Sequence, residues 1–145
     1  MHPDELDALE AALDEHARWV EDPSTGKRLD LTGAYLCGVY CLRGANLTRA
    51  NLTGVNLQFA ELPDAEMAGA NLTGALFDGA ILTGANLEGA EMTGANLEGA
   101  EMTGANLTRA NLTRANLTRA NLTGALFDGA ILTGANLEGA WGRPR

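Results

Sequence analysis

The side chains able to do chemistry are few and poorly spaced for it. Both histidines, His2 and His16, fall in the N-terminal segment. The two cysteines, Cys37 and Cys41, stand four apart with no histidine or third cysteine close by. Zinc takes four such ligands at close range, so the pair reads as ordinary reduced thiols, and no metal or cofactor is expected. The sequence holds no Gly-x-Ser-x-Gly turn, no phosphate-binding loop and no carboxylate pair in a plausible pocket. The chain therefore reads as a non-enzyme. Seven Asn-Leu-Thr triplets between Asn46 and Asn121 have the form of glycosylation acceptors. They recur as by-products of a repeat, and the outward Asn is better suited to hydrogen bonding along stacked layers. One motif remains. In ANLTRANLTRANLTR, residues 105–119, Arg109, Arg114 and Arg119 hold the same place in three consecutive five-residue words. They form either a basic binding ring or a set of surface ion pairs, and the choice depends on the shape that carries them.

The totals narrow the partners. Net charge is −9 over 145 residues and the pI is about 4.5, a poor match to nucleic acid or to an anionic membrane. No apolar run approaches the ~18–20 residues of a membrane span. The N-terminus, MHPDELDALEAAL, is acidic where a signal peptide would be basic. A cytoplasmic location is the expectation, with proteins as the partners.

Two regions must position whatever the chain presents. In residues 1–30, Leu6, Leu9, Leu13 and Val20 fall at helical spacing, with Ala17 and Trp19 nearby. Pro3 suits a first helical turn, and Asp4, Glu5 and Asp7 sit where the helix dipole favours negative charge. Asp-Pro-Ser-Thr-Gly at 22–26 ends the helix. The spacing predicts a helix over roughly 3–21 whose apolar stripe needs a surface to cover.

From Leu31 onward the chain is periodic in fives. Leu31 and Leu36 keep the step, one extra residue follows, most simply Val39, and Leu42 resets the phase. Nineteen uninterrupted pentads run from Ala45 to Gly139. The first residue is Ala in all but Val55, the third is Leu, Met or Phe, and the fifth is mostly Gly. A straight strand alternates sides every residue, so an odd period would flip the Leu row at each repeat. A helix advances about 100° per residue, so Leu would smear around its axis. The remaining solution is one turn per pentad. The first and third residues then point inward, the second outward, and the fourth and fifth make a corner where Gly tolerates positive φ. Periodicity alone leaves three or four corners per coil open. The block at 70–89 recurs identically at 120–139, a hint of twenty residues per coil.

The pattern Ala-(Asn/Asp)-Leu-x-x resembles the pentapeptide-repeat family, over about residues 31–142. The resemblance implies an all-β fold, a right-handed quadrilateral parallel β-helix with four pentads per coil. About 5.5 coils would stand some 26 Å tall at ~4.8 Å per layer. The expected division is a capping helix and turn at 1–28, the β-helix at 29–142 and a tail at 143–145. Such a column is filled by its own side chains and leaves no room for a ligand. Four pentads per coil would set the pentad of Arg109 over that of Glu88, and that of Arg119 over that of Glu98, which favours exposed ion pairs.

Apolar residues in outward slots are the candidates for contact. Leu76, Ile81, Leu126 and Ile131 occupy second positions, and Phe59 occupies a corner. Phe59, Leu76 and Ile81 would form one patch. Leu126 and Ile131 would lie on the opposite side, close to Trp141 at an end that no matching helix covers. An exposed apolar group beside an open edge reads as a contact surface, and an end-to-end homodimer through the C-terminal coil is the expected partner arrangement.

The resemblance also carries an alternative function. Quinolone-resistance-type members of the family mimic DNA and bind DNA gyrase. B-DNA shows one charge per ~1.7 Å of axis, about 15 over such a column. Residues 45–139 hold ten acidic residues and four arginines, net −6, a sparse imitation. The leading expectation is a non-enzymatic scaffold or protein-interaction module. EGAEMTGANL occurs twice, at 88–97 and 98–107, as recent duplication or engineering from a repeat consensus would leave it.

Overall fold

The computed structural model describes residues 2–39 and 42–142. Cys41 and the tail at 143–145 lie outside the described residues.

Helix α1 spans Pro3–Glu21, and its start is chemically fixed. His2 Nδ1 accepts the Asp4 N–H at 3.3 Å, while the His2 N–H donates to the Glu5 carboxylate at 2.9 Å, so two donors at the helix start have partners. The chain then doubles back. The Ser24 N–H and hydroxyl both donate to Asp22 Oδ1, the Thr25 N–H donates to Asp22 O, and the Lys27 N–H returns to Glu15 O at 3.1 Å. This connector lays α1 against the first coil. Leu9 and His16 are buried there, with Ala12 and Leu13 packed on the same core.

Beyond the connector, isolated parallel bridges recur every five residues, each to a residue twenty further on: Asn46 to Glu66, Asn51 to Asn71, Asn56 to Leu76, Glu61 to Ile81. Each coil therefore has four bridged sides. The bridges run Asp30–Asn51–Asn71–Glu91–Asn111–Ile131, five full coils, and about half a coil follows to Gly142. In the first coil the offset is twenty-one, at Asp30–Asn51 and Tyr35–Asn56. Val39 is not the extra residue. It keeps the five-residue step from Ala34, is buried, and its carbonyl accepts the Glu61 N–H at 2.8 Å as a first-position carbonyl should. Val fits this inward slot as Val55 does, so the insertion falls between Val39 and Leu42.

One pentad, Ala95–Gly99, explains the composition of all. Buried backbone donors must find acceptors. The Ala95 N–H closes the preceding turn onto Met92 O at 3.0 Å. The Asn96 N–H donates back one coil to Ala75 O at 2.9 Å. The Leu97 and Gly99 N–H groups donate forward one coil, to Asn116 O at 2.7 Å and Thr118 O at 2.9 Å. Only the fourth N–H, that of Glu98, is left over, and it donates to Asn96 Oδ1 at 3.1 Å. Asparagine at the second position thus completes the hydrogen bonding of its own corner. Its amide then also bridges coils. Asn116 Nδ2 donates to Asn96 Oδ1, and Asn86, Asn111 and Asn121 donate to Glu66, Glu91 and Glu101. The first and third residues fill the axis. From Ala50 to Leu122 every one is buried, with Phe77 the largest wholly enclosed side chain.

Candidate interaction surfaces

The corners take positive φ at every fifth residue, and among the described residues six of these are not glycine. Arg109, Arg114 and Arg119 have φ of 59°, 57° and 57°, a region that costs a residue with a Cβ roughly 1–2 kcal/mol. The three mark three successive corners of one coil. Arg109 pairs with Glu88 and Arg119 with Glu98, because the residue twenty-one earlier is a glutamate in both. For Arg114 that residue is Thr93, and among the described residues Arg114 makes no ion pair. Both pairs are exposed, so each contributes about 0–1 kcal/mol, less at high salt.

Two apolar groups stand out on the walls. In the first, Phe59 is 64% exposed and Ile81 36%, with Leu76 half-buried. The Phe59 ring lies over Gly79 one coil on, occupying the space that a side chain at 79 would need. Leu76 and Ile81 sit on the two sides that flank this corner. Beneath it, Asp78 Oδ2 accepts from Gln58 Nε2 at 2.6 Å, while its Oδ1 is buried without a partner.

The second group belongs to the last described coil. Leu126, Ile131 and Trp141 are each about half exposed and bridge back to Asn106, Asn111 and Asn121. They therefore stand on three different sides of the square instead of one flank. Between them Phe127, Leu132 and Leu137, buried in type everywhere below, are only partly covered.

Cys37 is the fourth residue of its pentad, on a corner beside Tyr35, and its thiol raises the Tyr35 pKa above its ordinary value. Among the described residues no helix is long and apolar enough to cross a membrane.

Nothing in the pentad pattern singles out His16, yet it is wholly buried. Its Nε2 lies 3.0 Å from Thr48 O, and its Nδ1 accepts the Leu29 N–H at 2.9 Å. Its ring stacks on Trp19, with centroids 5.5 Å apart and planes 18° apart. Arg49 and Arg28 close over the same indole at 4.8 and 5.9 Å. The available signal was a lone polar residue on an apolar stripe, three after Leu13 and four before Val20.

Known proteins share this architecture. The family described as pentapeptide repeats matches residues 30–67, 41–79, 70–109 and 110–141. The pentapeptide repeat protein Rfr23 from the cyanobacterium Cyanothece 51142 superposes with a TM-score of 0.71 at 28% identity, over 86% of this chain and 94% of that one. A pentapeptide repeat protein of the Arabidopsis thaliana thylakoid lumen is 33% identical over 72% of this chain and 66% of that one, with a TM-score of 0.44. A trypsin-treated form of QnrB1, a plasmid-mediated fluoroquinolone resistance protein, is 21% identical over 78% of this chain and 72% of that one, with a TM-score of 0.36. No curated protein matches.

Proposed function

This chain belongs to the pentapeptide-repeat family, and we propose that it is a non-enzymatic scaffold, a right-handed quadrilateral column that meets a second copy of itself through its C-terminal coil. The observation that carries this reading is the ring of Leu126, Ile131 and Trp141 around the half-covered core residues Phe127, Leu132 and Leu137. A second copy presents the same ring about a two-fold axis, so an apolar residue of one copy can face an apolar residue of the other. Burying it removes apolar surface from water at roughly 25 cal/mol per Å². The compartment that goes with this proposal is the cytoplasm.

Light scattering tests the dimer. The wild type should have twice the chain mass of 15.1 kDa, and Trp141→Glu, which would bury a charge in the contact, should run as a monomer. A monomeric wild type ends the proposal.

The alternative, a DNA mimic directed at gyrase, needs walls of nearly uniform negative charge. Glu88 and Glu98 are each paired to an arginine, which weakens the imitation where the column should be most acidic. We expect no inhibition of gyrase supercoiling at tens of micromolar protein. Clear inhibition in that assay would restore the mimic and displace the scaffold.

A further inference from the structure

We propose that His16 is a pH-operated latch that holds α1 on the first coil, and that mild acid releases the helix. The ladder shows what this imidazole replaces. In each regular coil the fourth-residue carbonyl accepts a fifth-residue N–H from the coil before it, as Thr53 O does from Gly33 and Ala68 O from Arg49, both at 2.9 Å. Thr48 O is the equivalent carbonyl at the N-terminal edge of the column. It takes its hydrogen bond from His16 Nε2 instead. The other ring nitrogen accepts the Leu29 N–H, so the bonded ring is the neutral tautomer with its proton on Nε2. One side chain of α1 thereby joins the connector and the first coil.

This arrangement has no place for a second proton. A proton on Nδ1 would confront the Leu29 N–H, donor against donor, in a site without solvent. The charged groups that act on the ring are Arg28 from the connector and Arg49 from the first coil, and its own helix offers the uncharged Trp19. Among the described residues no carboxylate hydrogen-bonds to either ring nitrogen. Burial above all holds the docked His16 below its ordinary pKa near 6.5; the bond to Thr48, next in size, opposes it, and the Arg28 and Arg49 guanidiniums add to the lowering. The sign follows. A released His16 binds its proton near pH 6.5 and the docked one only at lower pH. Docking is therefore full above about 6.5 and weakens as pH falls from there towards the docked value, by up to about tenfold in the docking equilibrium per pH unit.

Trp19, stacked on His16, reports release. In a Trp141→Phe background, acrylamide quenching of Trp19 should rise several-fold along a one-proton curve below about pH 6.5, while circular dichroism of the column stays constant. His16→Gln supplies an amide N–H for Thr48 and a carbonyl for Leu29 but cannot titrate, so its quenching should stay low from about pH 8 to about pH 5. If His16→Gln fails to dock at any pH, nitrogen NMR of His16 in the wild type decides. Support is a neutral ring persisting below pH 6.5 and protonating together with Trp19 exposure. The proposal is overturned by a flat wild-type response, by the same transition in a docked His16→Gln, or by His16 titrating at its ordinary value while Trp19 stays shielded.

Discussion

In the monomeric Trp141→Glu background, Phe77→Ala should destabilise the column by about 3–5 kcal/mol, and Phe127→Ala by less than half of that. The two phenylalanines occupy the same place in identical twenty-residue blocks, 70–89 and 120–139, so local sequence cannot distinguish them. Their surroundings do. Phe77 has coils on both sides and no exposed surface, and truncating it leaves a cavity that the stacked Leu and Ala rows cannot collapse into. Phe127 lies in the last described coil and is only partly covered, so its truncation removes fewer contacts and opens towards solvent. Stacked coils interact mainly with their neighbours, so unfolding need not be all-or-none. Hydrogen exchange of the flanking amides, read beside a urea titration, separates the two. In the wild type, where the proposed dimer covers the C-terminal coil, the cost at Phe127 should rise towards that at Phe77, and equal costs in Trp141→Glu would show that the single chain already encloses Phe127.

Gly26→Ala should detach α1 while leaving most of the column folded. Gly26 turns the connector back along the helix at φ +62°, a conformation that costs a residue with a Cβ about 1–3 kcal/mol by itself. Space adds to this. A Cβ at 26 would press on Glu15 O and come within 2.8 Å of Arg18 Cβ and Trp19 N. Those atoms are helix backbone or near it and cannot yield. The Lys27 N–H to Glu15 O bond is one residue away and would be lost in any adjustment. The combined local cost should reach about 3 kcal/mol or more. Acrylamide quenching of Trp19 checks it at pH 8, where His16 is neutral. Shielding equal to wild type would show that the connector can relax, against this expectation.

Much of the fold is legible in the residues, because a five-residue period admits few shapes. The inward row is written as Ala and Leu, while the twenty-residue block only hints at the coil period, and the family resemblance supplies the four pentads per coil that set Arg109 beside Glu88. Helix α1 is legible from Pro3 to Glu21 for the same reason, its stripe and its stop signals agreeing. What escapes has a common cause. The partners of His16 are a backbone carbonyl and a backbone N–H, groups that every residue but proline carries, so no side-chain pattern announces them. The insertion is visible as a phase error but not as a residue, since Val39 is small enough to keep the inward slot. The corner bond of the second-position Asn is hidden because the same amide also serves the neighbouring coil. The contact surfaces are the least legible. Leu126, Ile131 and Trp141 are out of pattern, but that they surround the coil on three sides follows only from the winding.

The bridge to a residue twenty further on has a mechanical meaning. One coil contributes about 4.8 Å to the height of the column, but its twenty residues drawn straight reach roughly 70 Å. Peeled from one end, the column would pay out chain in steps about fourteen times its own layer thickness. The molecule is a spool, short and stiff while wound, with a large reserve of length released one turn at a time.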